Sequence, residues 1–200
     1  MPVQTTAIET VTVVRPLKVI SLVCLCLSLV LLVIALCTSS WLETYIEVHS
    51  SGQVFVTDHV TGLFKVVCTH RSIDALSNPV PNAAPEGECQ PPARNRFFIR
   101  AAALLLIGAA AFTLFAIFVS IAGLRSNDLH RKHVFYKAAT WLSLMSVLAE
   151  LVALVGFTIC FYLYIHSYGL QNWEVDWSYG IAWGALLFGF GALLLLICDK

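Results

Sequence analysis

Four long apolar stretches divide the chain into spans and connecting segments. Each has the roughly 20 residues that a helix needs to cross a hydrocarbon core about 30 Å thick. The pattern therefore predicts four membrane-spanning helices, at 19–38, 101–124, 138–165 and 179–198. A secretory signal peptide is the alternative interpretation of the first stretch. Its apolar run is longer than a typical signal sequence, however, and only a loose small-residue cleavage site follows it at 38–40.

Basic residues predict how the four spans are oriented, because Lys and Arg collect on the cytoplasmic side of a membrane. An even number of spans puts both termini on the same side. The segments 1–18, 125–137 and 199–200 hold seven Lys and Arg in 33 positions. We therefore expect these segments to be cytoplasmic, and we expect 39–100 and 166–178 to be the two extracellular loops.

The first extracellular loop begins with a strand pattern. From 41 to 48, apolar or β-branched residues at even positions alternate with Trp, Glu and Tyr at odd positions, which is the period of a strand with one covered face. A turn signal follows at 51–53, and β-rich runs follow at 54–57 and 63–68. The pattern predicts a small extracellular antiparallel sheet on top of an otherwise all-α membrane bundle.

Cysteine positions add a covalent constraint to this loop. Of the seven cysteines, only Cys68 and Cys89 lie in it. Two thiols in an oxidising compartment predict one disulfide, which closes a loop of twenty intervening residues, and two free thiols are the alternative. Cys198, at the cytoplasmic end of the last span, is a candidate for palmitoylation.

A proline-rich segment lies inside the predicted disulfide loop. Residues 78–92 hold five of the seven prolines, so we expect an exposed excursion that does not continue the sheet. Its role is open between variable recognition and a passive spacer.

Composition narrows the class of protein. With 58% hydrophobic residues, 12% charged residues and a net charge of +0, the chain matches neither a soluble enzyme nor a nucleic-acid-binding domain. We find no catalytic constellation and expect neither an enzyme activity nor a cofactor. His130 and His133 have an H-x-x-H spacing, but no second pair completes a metal site. The two residues after Cys198 are not a PDZ-binding tail.

Glu150 is the one ionisable residue deep within a predicted span. A charge at that depth costs at least a few kcal/mol, so the group has to be protonated, paired or hydrated. Ser143, Ser146 and Ala153 share its helical face, which we expect to point into the bundle. The alternatives are a transport or proton-handling role and a neutral carboxyl that donates a hydrogen bond between helices.

Small residues recur at helical spacing in the fourth span and predict close packing of helices. We expect them to serve packing inside the bundle, with contacts to another subunit as the alternative. These residues are Gly180, Gly184, Gly189 and Gly191.

Several residues of the first loop carry a resemblance to a known family. Trp41, Gly62-Leu63, Cys68, Cys89 and Arg100 are similar to the W…GLW…C…C…R signature of the claudin and peripheral myelin protein 22 superfamily. Phe64 stands where that signature has its second Trp, and Cys68 comes one residue late. These departures put any transfer of claudin pore chemistry in doubt.

The resemblance is strongest to junction-associated members of the superfamily, through residues 16–24 and 177–191. Glu150 stands where such a relative is expected to have an uncharged amide. The resemblance implies a left-handed bundle of four transmembrane helices in the plasma membrane at cell-cell junctions. There the protein would organise adhesion, with junctional membrane proteins as homo- or hetero-partners. A basic cytoplasmic loop would face anionic lipid or a cytoplasmic scaffold through Arg125, Arg131, Lys132 and Lys137.

A channel-forming or channel-auxiliary protein is the second hypothesis. In it, external acids set a field that favours cations, and Glu150 acts as a functional intramembrane acid. The external acids concerned are Glu43, Glu47, Asp58, Glu174 and Asp176.

Overall fold

The structure is a computed structural model that describes residues 16–50, 53–64, 66–73, 87–88, 97–126, 129–168 and 173–198, with backbone alone for most of the strands. This part of the chain holds four helices and five strands. In chain order they are α1 (Pro16–Cys37), β1 (Leu42–Ser50), β2 (Gln53–Thr61), β3 (Val66–Ile73), β4 (Gly87–Glu88), α2 (Phe97–Arg125), α3 (Leu129–Tyr168), β5 (Trp173–Val175) and α4 (Trp177–Cys198).

All four helices are long and apolar enough to cross a membrane, which confirms the prediction of four such helices. They extend beyond the apolar spans. The largest extension is at the start of α3, where most of the segment expected as the loop 125–137 is helical. Residues 129–137 contain neither Gly nor Pro, so nothing in that segment interrupts a helix.

The helices form a ring in which α1 packs on α2 and α4, and α3 packs on the same two helices. The contact is most extensive between α2 and α3 and between α1 and α4. Alanine and serine fill many of the buried positions beside leucine, whereas other large apolar side chains point outward: Leu104, Phe118 and Leu187 are 69%, 60% and 68% exposed. Small residues inside and large ones outside suit a bundle surrounded by lipid, where helices associate by close backbone approach.

The sheet lies at the end of the bundle where α1 finishes and α4 begins. Its strand order is β4-β3-β2-β1-β5, and every neighbouring pair is antiparallel. In the first hairpin, Ser50 pairs with Gln53, so the turn falls at the first two residues of the predicted turn 51–53. The predicted small antiparallel sheet is therefore present, with longer strands than the sequence indicated.

Two short edge strands were not predicted. β4 lies inside the proline-rich segment 78–92, which corrects the expectation that this segment takes no part in the sheet. A strand can form here because residues 86–90 contain no proline, so each residue keeps the backbone N–H group that pairing in a sheet requires. β5 comes from the second loop, 166–178, and pairs with β1 from Leu42↔Val175 to Thr44↔Trp173.

The opposite end of the bundle is held by Tyr136 of α3. Lys18 Nζ of α1 lies 4.0 Å from the centroid of the Tyr136 ring, a cation–π contact. Gly123 of α2 also lies against this residue, since a Cβ added there would be 3.4 Å from Tyr136 Cζ. Tyr136 therefore links α3 to both α1 and α2 at this end.

Candidate functional site

Trp41 joins the sheet to the bundle. Its side chain is fully buried, and its Nε1–H donates to the carbonyl oxygen of Ala35 at 2.8 Å. Ala35 lies in the last turn of α1, where carbonyl groups lack a partner within the helix. The Thr38 hydroxyl donates to the same oxygen at 3.1 Å, so the indole and this hydroxyl together satisfy a carbonyl group at the end of α1.

Aromatic rings from two other helices surround Trp41. Its ring meets Phe157 of α3 edge to face at a centroid distance of 5.5 Å and Tyr179 of α4 at 5.9 Å. The Tyr179 hydroxyl is in turn hydrogen-bonded to Thr158 of α3. Edge-to-face aromatic pairs add about 0.5–1.5 kcal/mol each beyond the area they bury. The sequence pattern did not single out Phe157 or Tyr179, because aromatic residues also line the lipid face.

The turn between β2 and β3 also packs against the end of α1, next to Trp41. A Cβ at Gly62 would lie 2.6 Å from Ser39 Cα, so only glycine allows the backbone of this turn to approach the end of α1. Leu63 is buried in the bundle core, whereas Phe64 is 64% exposed and Arg100 is exposed at the start of α2. The structure therefore gathers Trp41, Gly62 and Leu63 at one junction and leaves Phe64 and Arg100 on the surface.

The second loop is tied to the same junction by backbone hydrogen bonds. Asp176 N donates to Trp41 O at 3.1 Å, and Ser178 N donates to Ser40 O at 3.2 Å. The Asp176 carboxylate accepts from Trp177 N at 2.6 Å and so caps the beginning of α4. An Asp directly before a helix is a capping signal that can be found in the sequence. The position of Asp176 beside β1 cannot be found there.

The predicted Cys68–Cys89 disulfide lies outside the described residues, because Cys89 is not described and only the backbone of Cys68 is. The backbone register of β3 and β4 pairs Cys68 with Gly87 and Val67 with Glu88. The chain two residues before Cys89 therefore runs directly beside Cys68, and the disulfide stays a prediction.

Hydroxyl groups cross the helix interfaces in the middle of the bundle. Ser146 Oγ of α3 donates to the carbonyl oxygen of Ala109 on α2 at 2.9 Å and lies 2.6 Å from Thr113 Oγ1. On the other side of the bundle, Ser28 Oγ of α1 donates to the carbonyl oxygen of Ala185 on α4 at 2.9 Å. Each hydrogen bond links the two helices of an extensively packed pair.

Glu150 lies one helical turn from Ser146 on the same buried face. It is 1% exposed, and its neighbours on that face, Ser143 and Ala153, are also buried, as expected from the sequence. Glu150 Oε2 has no hydrogen-bond partner within the part of the chain that the structure describes. A carboxylate buried without a cation would carry a large desolvation penalty, so the arrangement suits an uncharged carboxyl.

Two outward-facing aromatic residues of α3 bracket Glu150. Trp141 is 60% exposed and Tyr162 is 56% exposed. They lie 21 residues apart in the sequence, a rise of about 32 Å in a helix, which matches a hydrocarbon core of about 30 Å. Because Trp and Tyr gather at the two interfaces of a membrane, this spacing puts Glu150 near the middle of the bilayer.

The glycines of α4 have different surroundings. A Cβ at Gly189 would lie 3.2 Å from Ser28 Oγ and 3.5 Å from Val147 Cγ2, so Gly189 serves close packing of α4 on α1 and α3. At Gly184 the nearest contact would be Leu31 at 3.9 Å. At Gly180 and Gly191 an added Cβ would meet no described atom within 4 Å, which corrects the expectation that both pack inside the bundle. Helical spacing alone does not tell how α4 is rotated.

The remaining predicted residues lie at the ends of the helices. Cys198 is an exposed free cysteine, and His130 and His133 are both exposed. Among the described residues no group of three or more His, Cys, Asp or Glu lies close enough to hold a metal ion. Of the basic residues predicted to face lipid or a scaffold, three are exposed and Lys132 is half-buried. The exposed ones are Arg125, Arg131 and Lys137.

Two of the predicted external acids come together in the sheet. Glu43 of β1 and Glu174 of β5 are directly paired in the backbone register, with Glu43 half-buried and Glu174 exposed. Of Glu47 and Asp58 only the backbone is described, and Asp176 serves as the cap of α4.

No family model matches the chain.

Replacement of Gly62 by Ala is expected to lower the free energy of unfolding by about 1–3 kcal/mol, because the new methyl group would overlap the backbone of Ser39. Gly156→Ala is the matched control, since a Cβ there meets no described atom within 4 Å and Ala favours a helix over Gly. Thermal unfolding of the two full-length variants in one detergent measures the difference. Equal midpoints for the wild type and Gly62→Ala would contradict the close approach.

Replacement of Glu150 by Gln is expected to change the thermal midpoint little, because Gln has nearly the same shape as an uncharged carboxyl. Glu150→Lys is expected to be strongly destabilising, by several kcal/mol, since it buries a charge in the bundle. Glu174→Gln, at an exposed site, is the control for the chemical change alone. If Glu150→Gln is as harmful as Glu150→Lys, the carboxylate is ionised and paired.

Proposed function

We propose that this chain is a claudin-like multi-pass protein of the plasma membrane that organises adhesion at cell-cell junctions. The observation that carries the proposal is a five-stranded sheet fixed to one end of four apolar helices. A protein that holds two membranes together benefits from a sheet with a fixed position. A freely moving sheet would have to be immobilised on binding, and the entropy lost would weaken the affinity.

The sheet is attached firmly to the helix bundle and is not a mobile loop. The Trp41 side chain, the Gly62 turn and the pairing of β5 with β1 connect it to α1, α3 and α4 at three separate points. Trp41, Gly62 and Leu63 are also residues of the claudin-like signature, so the positions that carry the resemblance have a structural task at this junction. This agreement supports the family proposal.

The orientation follows from the basic residues. Segments 1–18 and 125–137 hold six Lys and Arg. In the part of the chain that the structure describes, α1 begins, α2 ends and α3 begins at the end of the bundle opposite the sheet. Because basic residues are retained in the cytoplasm, the sheet faces outward, with both termini inside.

Adhesion predicts enrichment of the protein where two expressing cells touch. In a mixed culture of expressing and non-expressing cells, a fluorescently tagged chain is expected to concentrate at borders between two expressing cells. Val56→Pro removes a ladder donor from the central strand β2 and is expected to abolish the enrichment, whereas Val56→Thr keeps the ladder and serves as the control. Surface biotinylation verifies that each variant reaches the membrane.

Two other results are distinguishable in that culture. Enrichment at borders with non-expressing cells as well indicates recruitment by another junctional protein instead of binding between copies. A uniform membrane signal for the wild type contradicts the junctional proposal.

The disulfide proposal has its own test. Cys68→Ser and Cys89→Ser are each expected to reduce stability by roughly 3 kcal/mol, the value for closing a loop of this length, and the double variant is expected to be no worse than either. Thermal unfolding measures the three variants, and alkylation with mass spectrometry detects the bond directly. Unequal effects of the two single variants contradict the pairing.

A channel-forming or channel-auxiliary protein is the second candidate, because Glu150 is buried near mid-membrane with no hydrogen-bond partner for Oε2 among the described residues, and Glu43 is paired with Glu174 in the sheet register. The two acids of the sheet favour cations over anions, and Glu150 does so only in its ionised form. A cation conductance in wild-type vesicles that disappears with Glu150→Gln supports this candidate, and enrichment at borders does not depend on Glu150.

A further inference from the structure

The outward face of α3 continues beyond the apolar span without a break. Val134, Trp141, Val152 and Ile159 are 55%, 60%, 59% and 54% exposed, and their spacings of 7 and 11 residues place them on one side of the helix. Lys137 lies four residues before Trp141 and is exposed on the same side. A basic residue therefore follows directly on the lipid-facing stripe.

The rotation of α3 at this point is determined by its inward side. Tyr136 contacts Lys18 of α1 and lies against Gly123 of α2. Lys137 lies about 100° further round the helix from Tyr136, and its side chain is exposed. Lys132 is half-buried and shares its helical face with Ala139 and Glu150, which are both buried. Lys132 and Lys137 thus lie on different sides of one helix.

Depth follows from the helical rise. If Trp141 marks the edge of the hydrocarbon, Lys137 lies about 6 Å beyond it, since each residue of a helix rises 1.5 Å. The headgroup layer on each side of a bilayer is roughly 5–7 Å thick. Lys137 is therefore at the depth of lipid phosphates, with His133 one turn further out and exposed.

Charge on this segment has one sign. From 129 to 149 the sequence contains three Lys and Arg, two His and no Asp or Glu. A lipid phosphate or carboxylate is the complementary group that reaches Lys137 from within the bilayer, because Trp141 beside it lies at a level that lipid covers. An ammonium group binds phosphate as a compact point charge, and an indole N–H adds a donor at the interface.

We propose that Lys137 and Trp141 form a binding surface for the headgroup of an anionic phospholipid. This site goes beyond the junctional function and is independent of it, since it requires only that α3 spans a membrane. The bound lipid lies against the outer side of α3, where it is in exchange with the surrounding bilayer.

Tryptophan quenching by brominated lipid tests the site. The full-length chain is reconstituted in phosphatidylcholine vesicles that contain either brominated phosphatidylserine or brominated phosphatidylcholine at the same mole fraction. The difference between the wild type and Trp141→Phe isolates the signal of Trp141 from those of the other four tryptophans. We expect the brominated anionic lipid to quench Trp141 more strongly, with an excess that declines as salt is added.

Lys137→Gln is expected to reduce this lipid preference by up to roughly fivefold, to near equality of the two lipids. Lys132→Gln removes the same charge from the other side of the same helix and is expected to retain most of the preference. Circular dichroism of each variant verifies that the helices are intact. Vesicles offer both leaflets, so the outcome does not depend on which end of the bundle is cytoplasmic.

Three results would overturn the proposal. Equal quenching of wild-type Trp141 by the two brominated lipids means that no anionic lipid is enriched there. A preference that survives Lys137→Gln means that Lys137 does not hold the lipid. Equal loss in Lys132→Gln and Lys137→Gln means a general attraction to positive charge, without a site on this face.

Discussion

The indole of Trp41 lies where the last turn of α1, the first strand and the rings of Phe157 and Tyr179 meet, and its N–H donates to Ala35 O. A helix that ends at a membrane surface leaves carbonyl groups without partners, and this hydrogen bond satisfies one of them. Because the same side chain contacts α3 and α4, the end of α1, the start of β1 and two further helices have fixed relative positions. The position of the sheet on the bundle depends on this arrangement, since Trp41 directly precedes β1 and is bonded to the end of α1.

The bundle below follows a second constraint, the low polarity of its surroundings. In hydrocarbon the hydrophobic effect contributes little when helices associate, so close packing and interhelical hydrogen bonds stabilise the association instead. Ser146 and Ser28 supply such bonds to Ala109 O and Ala185 O, and Gly189 allows the close approach. Glu150 Oε2 is buried with no hydrogen-bond partner among the described residues, and so are three serine hydroxyl oxygens. Of these four groups, only the Glu150 carboxyl can carry a charge at neutral pH.

Predictability from sequence differed between local and long-range features. The four helices and the first hairpin follow from apolar length and from alternation, which are local patterns. The inward face of Glu150 was also predictable, because Ser143, Ser146 and Ala153 recur at helical spacing around it. The attachment of β5 to β1 was not, since three residues of the second loop carry no signal for the strand they will join. The glycines of α4 show the same limit, because their spacing gave no information on the rotation of that helix.

The sequence by itself determined the four long apolar helices and the first hairpin of the sheet. A backbone in hydrocarbon has to satisfy its own hydrogen bonds, and a long apolar run without charges does so only as a helix. Only the tertiary structure decided which residues meet: Trp41 with Ala35, Gly62 with Ser39, and Lys137 outward beside Trp141 while Tyr136 turns inward. The physical reason is that these positions result from packing between helices and loops that are distant in the chain. Local periodicity shows which residues share one face of a helix, but not which other element that face contacts.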